Sequence, residues 1–172
     1  MKATTLRRSA ALAVAGLALA GCGSTADRAA VVNGHVITES EAQTASQQIT
    51  QVFNPTQGFT TADAVNRLIV APLIIQYAEK GGHPISEAGA RSELKGINDP
   101  ADSTIEVMRA EEAIGSLTDN DKIAIVEQLK RYDVKVNPRY GRFDASRAAL
   151  VPLNPGWLVP TTQTSAAATP QG

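Results

Sequence analysis

Two spacings of apolar residues divide this chain, and they change over at Thr38. Before it, Ala29-Ala30-Val31-Val32 and His35-Val36-Ile37-Thr38 are short runs rich in β-branched residues, parted by Asn33-Gly34. Both of those residues tolerate positive φ, so the dipeptide predicts a tight hairpin. After Thr38, the residues Ala42, Ala45, Ile49 and Val52 recur at intervals of three and four, the spacing of one helix face. Thr38 and Glu41 form a Thr-x-x-Glu capping box that sets the start of this helix. Asn54-Pro55 ends it, because the residue before a proline is pushed out of the helical region.

A second helix starts at Thr60-Thr61 with Asp63 and runs to Lys80, where Gly81-Gly82 supplies a C-cap. Its centre, 68–75, is apolar on every side and predicts a core helix, being far too short to cross a bilayer. Pro72 lies inside it and is expected to kink or break it. Ser86 is the expected N-cap of a short helix reaching Lys95, weakened by Gly89. Ser103 and Glu106 predict another capping box, followed by the helical face Val107, Ala110, Ile114 and Leu117. Thr118 with Asp121 opens a last helix, carrying Ile125, Val126, Leu129 and Tyr132 on one side. Residues 133–136 then predict a strand, Asn137-Pro138 and Tyr140-Gly141 predict turns, and Arg142-Phe143-Asp144 are expected to extend the strand edge.

The expected fold is mostly α. A small helical domain of four to five helices, 29–150, is closed by a short N-terminal hairpin or strand that pairs with a late C-terminal strand. Residues 151–172 are expected to form a disordered tail, because Pro, Thr, Ser and Ala dominate there and no charge follows Arg147. Trp157, in Asn-Pro-Gly-Trp-Leu, is expected to dock back onto the domain.

The first residues follow a different logic. Lys2, Arg7 and Arg8 precede an uncharged run rich in Ala, Leu and Val from 10 to 20. Such a run, as a helix, rises roughly 16 Å, well short of the ~30 Å hydrocarbon core. Positive, apolar and then small residues in this order read as a signal peptide, 1–21, and the Arg pair is ordinary in its charged region. The run ends in Leu19-Ala20-Gly21-Cys22, which resembles the lipobox of bacterial lipoproteins. That resemblance implies cleavage between Gly21 and Cys22 and attachment of a diacylglycerol, carrying palmitate-type acyl chains, to the Cys22 sulfur. A thiolate is the best alkylation nucleophile among side chains, which is why the position needs Cys. Two or more acyl chains hold a domain stably at a membrane surface. The expected location is therefore the extracytoplasmic face of the cell membrane, with 22–28 as a short polar tether.

Composition narrows the partners. Cys22 is the sole cysteine, so no disulfide can form within the chain and the core must hold the fold alone. Loss of Lys2, Arg7 and Arg8 with the leader takes the formal net charge from −1 to −4. No basic stripe is present, which argues against nucleic acid. His35 beside the turn and His83 before Pro84 read as surface histidines, with no ligand partner near them in sequence. Asp119 and Asp121 open like a calcium loop, but Ile123 and Ala124 stand where a ligand and a glycine are needed, so capping is the better reading. Glu111-Glu112, and Glu39 with Glu41, read as solvated carboxylates. No nucleophile elbow, phosphate loop or metal-spaced cluster occurs, so neither catalysis nor a cofactor or metal is expected.

Three stretches together resemble the N-terminal chaperone domain of the SurA and PrsA group of extracytoplasmic proteins. They are Ala30-Val31-Val32-Asn33-Gly34-His35-Val36-Ile37-Thr38-Glu39-Ser40-Glu41, then Ala78-Glu79-Lys80-Gly81-Gly82-His83-Pro84-Ile85-Ser86-Glu87, then Asp133-Val134-Lys135-Val136-Asn137-Pro138-Arg139-Tyr140-Gly141-Arg142-Phe143-Asp144. The resemblance implies a module that binds unfolded or nascent exported polypeptides through apolar surface and a helical crevice. The parvulin isomerase domain carried by many members has no counterpart here, since too few residues follow Asp144. Such binding predicts exposed apolar surface, a groove lined from 68–75 or by Met108 and its neighbours; residue by residue, an ordinary closed core is the favoured alternative for these positions. The alternative is a structural or interaction lipoprotein with one dedicated envelope partner.

Overall fold

Asn33 (φ 49°) and Gly34 (φ 86°) make the predicted hairpin turn in a computed structural model that describes residues 27–56 and 58–153. The turn joins β1 (Arg28–Val32) to β2 (His35–Thr38), antiparallel, with Val32 opposite His35 and Val31 opposite Val36. The helices follow as α1 (Glu39–Phe53), α2 (Thr61–Lys80), α3 (Glu87–Glu93), α4 (Asp102–Ile114) and α5 (Asp119–Leu129). The late strand β3 (Val134–Val136) returns to the other edge of β1, antiparallel, giving the sheet order β2-β1-β3. The fold is thus mostly α, a small helical domain closed by pairing of its first and last parts. Arg28, expected in the tether, is already the first residue of β1. Cys22, Gly21 and the whole leader, and Trp157 with most of the tail, lie outside the described residues.

α2 is the centre of the packing. Ala64, Val65, Leu68, Ile69, Val70, Ala71, Leu73, Ile74, Ile75 and Ala78 are buried along it, against α1, α4 and α5. Small residues on the facing helices let the backbones approach: Ala42 and Ala45 on α1, Ala110 and Ala113 on α4, all fully buried. Pro72 does not break the helix. Leu73, Ile74, Ile75 and Ala78 bury on its C-terminal side, and that burial outweighs the hydrogen bond that a prolyl nitrogen cannot make.

Capping boxes start three helices, Thr38 with Glu41, Thr60 with Asp63 and Thr118 with Asp121. The box expected from Ser103 and Glu106 does not form. α4 begins at Asp102 with Ala101 as its uncapped N-cap. A tertiary contact replaces the local one: Gln48 Oε1 on α1 accepts from the Ala101 N–H at 3.0 Å and the Thr104 hydroxyl at 2.6 Å. Ser103 is drawn elsewhere, its hydroxyl donating to the Glu41 carbonyl at 3.0 Å.

The end of the chain also differs from expectation. Arg142–Asp144 is not an extension of β3. It forms a separate strand, β4, paired antiparallel with β5 (Ala149–Val151). Val151, placed at the start of the tail by composition, is the last residue of that hairpin and pairs with Arg142. Asn66 on α2 fixes it, its Oδ1 accepting from the Leu150 N–H at 2.9 Å. Gly141 (φ 100°) lets β4 start: a Cβ there would run into the Val151 carbonyl.

Candidate functional site

The inner face of the hairpin presents Val32, His35 and Ile37 by strand alternation. Opposite it stand Leu68 and Ile69 of α2, with Pro72 one turn further on along the same face. Between them opens a cleft of about 360 Å³, lined also by Tyr132 after α5. Its third wall is the start of α4, with Asp102, Ser103 and Glu106, and Glu41 stands at the foot of α1. The floor is apolar and the wall acidic.

The charges in this cleft are not equivalent. Glu41 is partly committed, because its Oε2 accepts from the Thr38 N–H at 2.7 Å and hydroxyl at 2.8 Å. Asp102 is fully exposed and reaches Arg91 only at 3.7 Å. Glu106 is half-buried, and desolvation pushes its carboxyl above the ordinary carboxylate range. His35 and Arg109 oppose that shift through their charge, and Glu41 adds to it. No hydrogen bond contributes to holding the Glu106 charge. Arg109 itself is engaged elsewhere, donating from Nε to the Ile85 carbonyl at 2.8 Å and pairing with Glu79 at 3.3 Å.

Beyond Pro72, Asp102 and Glu106 a second, more polar depression of about 480 Å³ continues between α2 and α4, past Ile75, Ile105 and Arg109. Pro72, Asp102 and Glu106 line both, so the two form one groove across the α2–α4 face. Of residues 68–75, Leu68, Ile69, Pro72 and Ile75 line the groove, and of these Pro72 alone is exposed. The closed-core alternative holds for the rest: Val70, Ala71, Leu73 and Ile74 are buried, as are Leu68, Ile69 and Ile75 beneath the groove. Met108 is also buried in the core and lines neither depression. The hairpin and acidic walls were not expected from the sequence; alternation placed His35 and Ile37 on one face, but nothing local showed that α2 lies against it.

The first and third of the three stretches, 30–41 and 133–144, meet in three dimensions, and their polar residues are used for closure. Asn33 and Asp133 exchange two bonds, each 2.9 Å, and Asn137 Nδ2 donates to the Arg28 carbonyl at 3.2 Å. Glu39 Oε1 accepts from the Tyr140 hydroxyl and from Gln43 at 3.2 Å, and pairs with Arg139 at 3.4 Å. Burial raises the Tyr140 hydroxyl to about 12, with the bond to Glu39 and its negative charge adding to the effect and Arg139 opposing it. Glu39 Oε2 is buried without a partner.

The remaining sequence candidates separate. His83 is exposed in the connector between α2 and α3, away from the cleft lining. Asp121 is held below its usual range by its bonds with Thr118, and Asp119 pairs with Lys122 at 3.2 Å. Glu111 pairs with Arg67 on α2. Glu112 is pushed up by desolvation and by Glu93, and its Oε1 has no partner. Among the described residues no group of His, Cys, Asp or Glu is arranged to hold a metal ion, and no helix is long and apolar enough to cross a membrane. No family model, curated protein or solved structure matches this chain.

Proposed function

We propose that this chain is a lipid-anchored, extracytoplasmic chaperone-like module that holds unfolded or nascent exported polypeptides, without isomerase or other catalytic activity. The cleft between the hairpin, α2 and α4 carries the reading. It is open, apolar at its floor, walled by regular elements and continuous with a second depression, as an extended segment requires. The three stretches that resemble the SurA and PrsA chaperone domain support the same reading, and the Leu19-Ala20-Gly21-Cys22 lipobox supports a membrane anchor through acylated Cys22.

Two measurements test this. Mass spectrometry of the purified protein should show a diacylglycerol-modified N-terminal Cys22, and Cys22→Ser should abolish it; an unmodified cysteine on an uncleaved leader contradicts the anchor. The processed chain in phospholipid vesicles should suppress aggregation of a chemically unfolded protein at equimolar ratio. Absence of suppression by a folded domain contradicts a general holding role and favours a single dedicated envelope partner.

A further inference from the structure

Hydrogen-bonding capacity in the cleft is unbalanced. Glu41, Asp102 and Glu106 contribute carboxylates, which accept and do not donate when ionised. The Leu68 carbonyl adds another acceptor: its helical partner would be the N–H of residue 72, and Pro72 has none. Both Leu68 and Pro72 line the cleft. The Ser103 hydroxyl already donates to the Glu41 carbonyl, and the remaining side-chain donors of the lining, on Asn33, His35 and Tyr132, are fewer than the carboxylate oxygens that face them. Among the described residues no lysine or arginine lines the cleft; His35 is the one basic side chain in its lining, against three carboxylates, and Arg109 in the adjoining depression is occupied by Ile85 and Glu79. An apolar floor beside surplus acceptors and surplus negative charge is complementary to an occupant that is apolar, cationic and rich in N–H donors.

Resting on the reading of the cleft as a polypeptide site, we propose that it selects segments in which a lysine or arginine adjoins a large apolar side chain. The apolar side chain packs on Val32, Pro72 and Tyr132, the apolar lining residues that keep exposed surface, above the buried Ile37, Leu68 and Ile69. The cation reaches Glu106, whose half-desolvated carboxylate has no hydrogen-bonding partner of its own to lose. A charge-assisted bond in such a setting is stronger than one between neutral groups or at a fully wetted surface. Burying Glu106 without a bonded partner costs stability, and the cost is met when a cationic segment binds.

The test uses the full processed chain in zwitterionic vesicles and three fluorescent peptides with the same apolar sequence and a central Lys, Gln or Glu. The Lys peptide is expected to bind about tenfold tighter than the Gln peptide, and the Glu peptide weakest. Glu106→Gln is expected to bring the Lys and Gln peptides together by lowering the affinity for the Lys peptide about tenfold. Ile123→Ser, on the exposed face of α5, is the control and keeps the full preference. Equal binding of all three peptides by the unsubstituted protein overturns the charge selection and leaves the polypeptide site standing. Binding of none overturns both.

Discussion

At the scale of single residues, Glu106 is where stability and recognition oppose each other. Burial raises its carboxyl above the ordinary value of 4.5. A carboxyl raised by folding favours the protonated form, so its contribution is fully present below the unfolded-state value and is lost as pH rises through the folded one. At neutral pH the unsubstituted protein therefore carries the penalty of a desolvated charge, and Glu106→Gln does not. Thermal melts should show Glu106→Gln more stable at pH 7.5, with the advantage disappearing as pH falls to about 4, near the ordinary carboxylate value. A variant less stable at pH 7.5 would mean that Glu106 is a structural residue, paired more strongly than its surroundings indicate. His35 is the companion case. Its type and its place beside a turn suggested an ordinary surface histidine, and exposure agrees; its position on the cleft rim depended on α2 lying opposite.

At the scale of elements, capping chemistry was the part of the fold most open to sequence reading. Thr38, Thr60, Ser86 and Thr118 all cap as their local patterns require, because each bond spans only three residues. α4 was misread for the same reason in reverse: Gln48, more than fifty residues away, does the work that Ser103 was expected to do. β5 was missed because its three residues adjoin a Pro-rich tail and are ordered by Asn66 of α2, not by local propensity. Pro72 is the other element-scale departure. Proline inside a helix costs roughly 3 kcal/mol or more, and here burial of the following turn overrides it. Pro72→Ala should raise unfolding stability by about 1–3 kcal/mol in urea, since it restores a donor to the Leu68 carbonyl. It should also weaken peptide binding, because that carbonyl ceases to be a spare acceptor. Lower stability in Pro72→Ala would show that the ring is a packing element and not a tolerated defect.

At the scale of the whole molecule, the domain is closed by residues more than a hundred positions apart. β1 is the central strand between β2 and β3, and Asn137 bonds back to Arg28 across 109 residues. The Glu39–Arg139–Tyr140 cluster ties the first turn of α1 to the short 3₁₀ turn Pro138–Tyr140. Complementary strand patterns at the two ends made this closure legible, and the cluster that locks it was not, because no spacing within either stretch reports on the other. Tyr140→Phe leaves the Glu39 carboxylate short of a donor and should cost about 1 kcal/mol in urea at pH 7. The sign of its pH dependence follows from a hydroxyl raised from 10.0 to about 12. The stabilisation is present below pH 10 and lost as pH rises through 12, so the difference between the two proteins should shrink over that window.

The closure, the central α2 and the acidic start of α4 together frame a groove that faces solvent, and the account stands on its being the place where polypeptide binds. Its most direct test is a photo-crosslinking side chain placed at His35 on the cleft rim, compared with one at Ile123 on the outer face of α5, each challenged with a purified, chemically unfolded protein. The account predicts adducts from His35, few from Ile123, and loss of the His35 adducts when an apolar peptide with a central lysine competes. Equal labelling from both positions, or adducts at His35 that no peptide displaces, would contradict it.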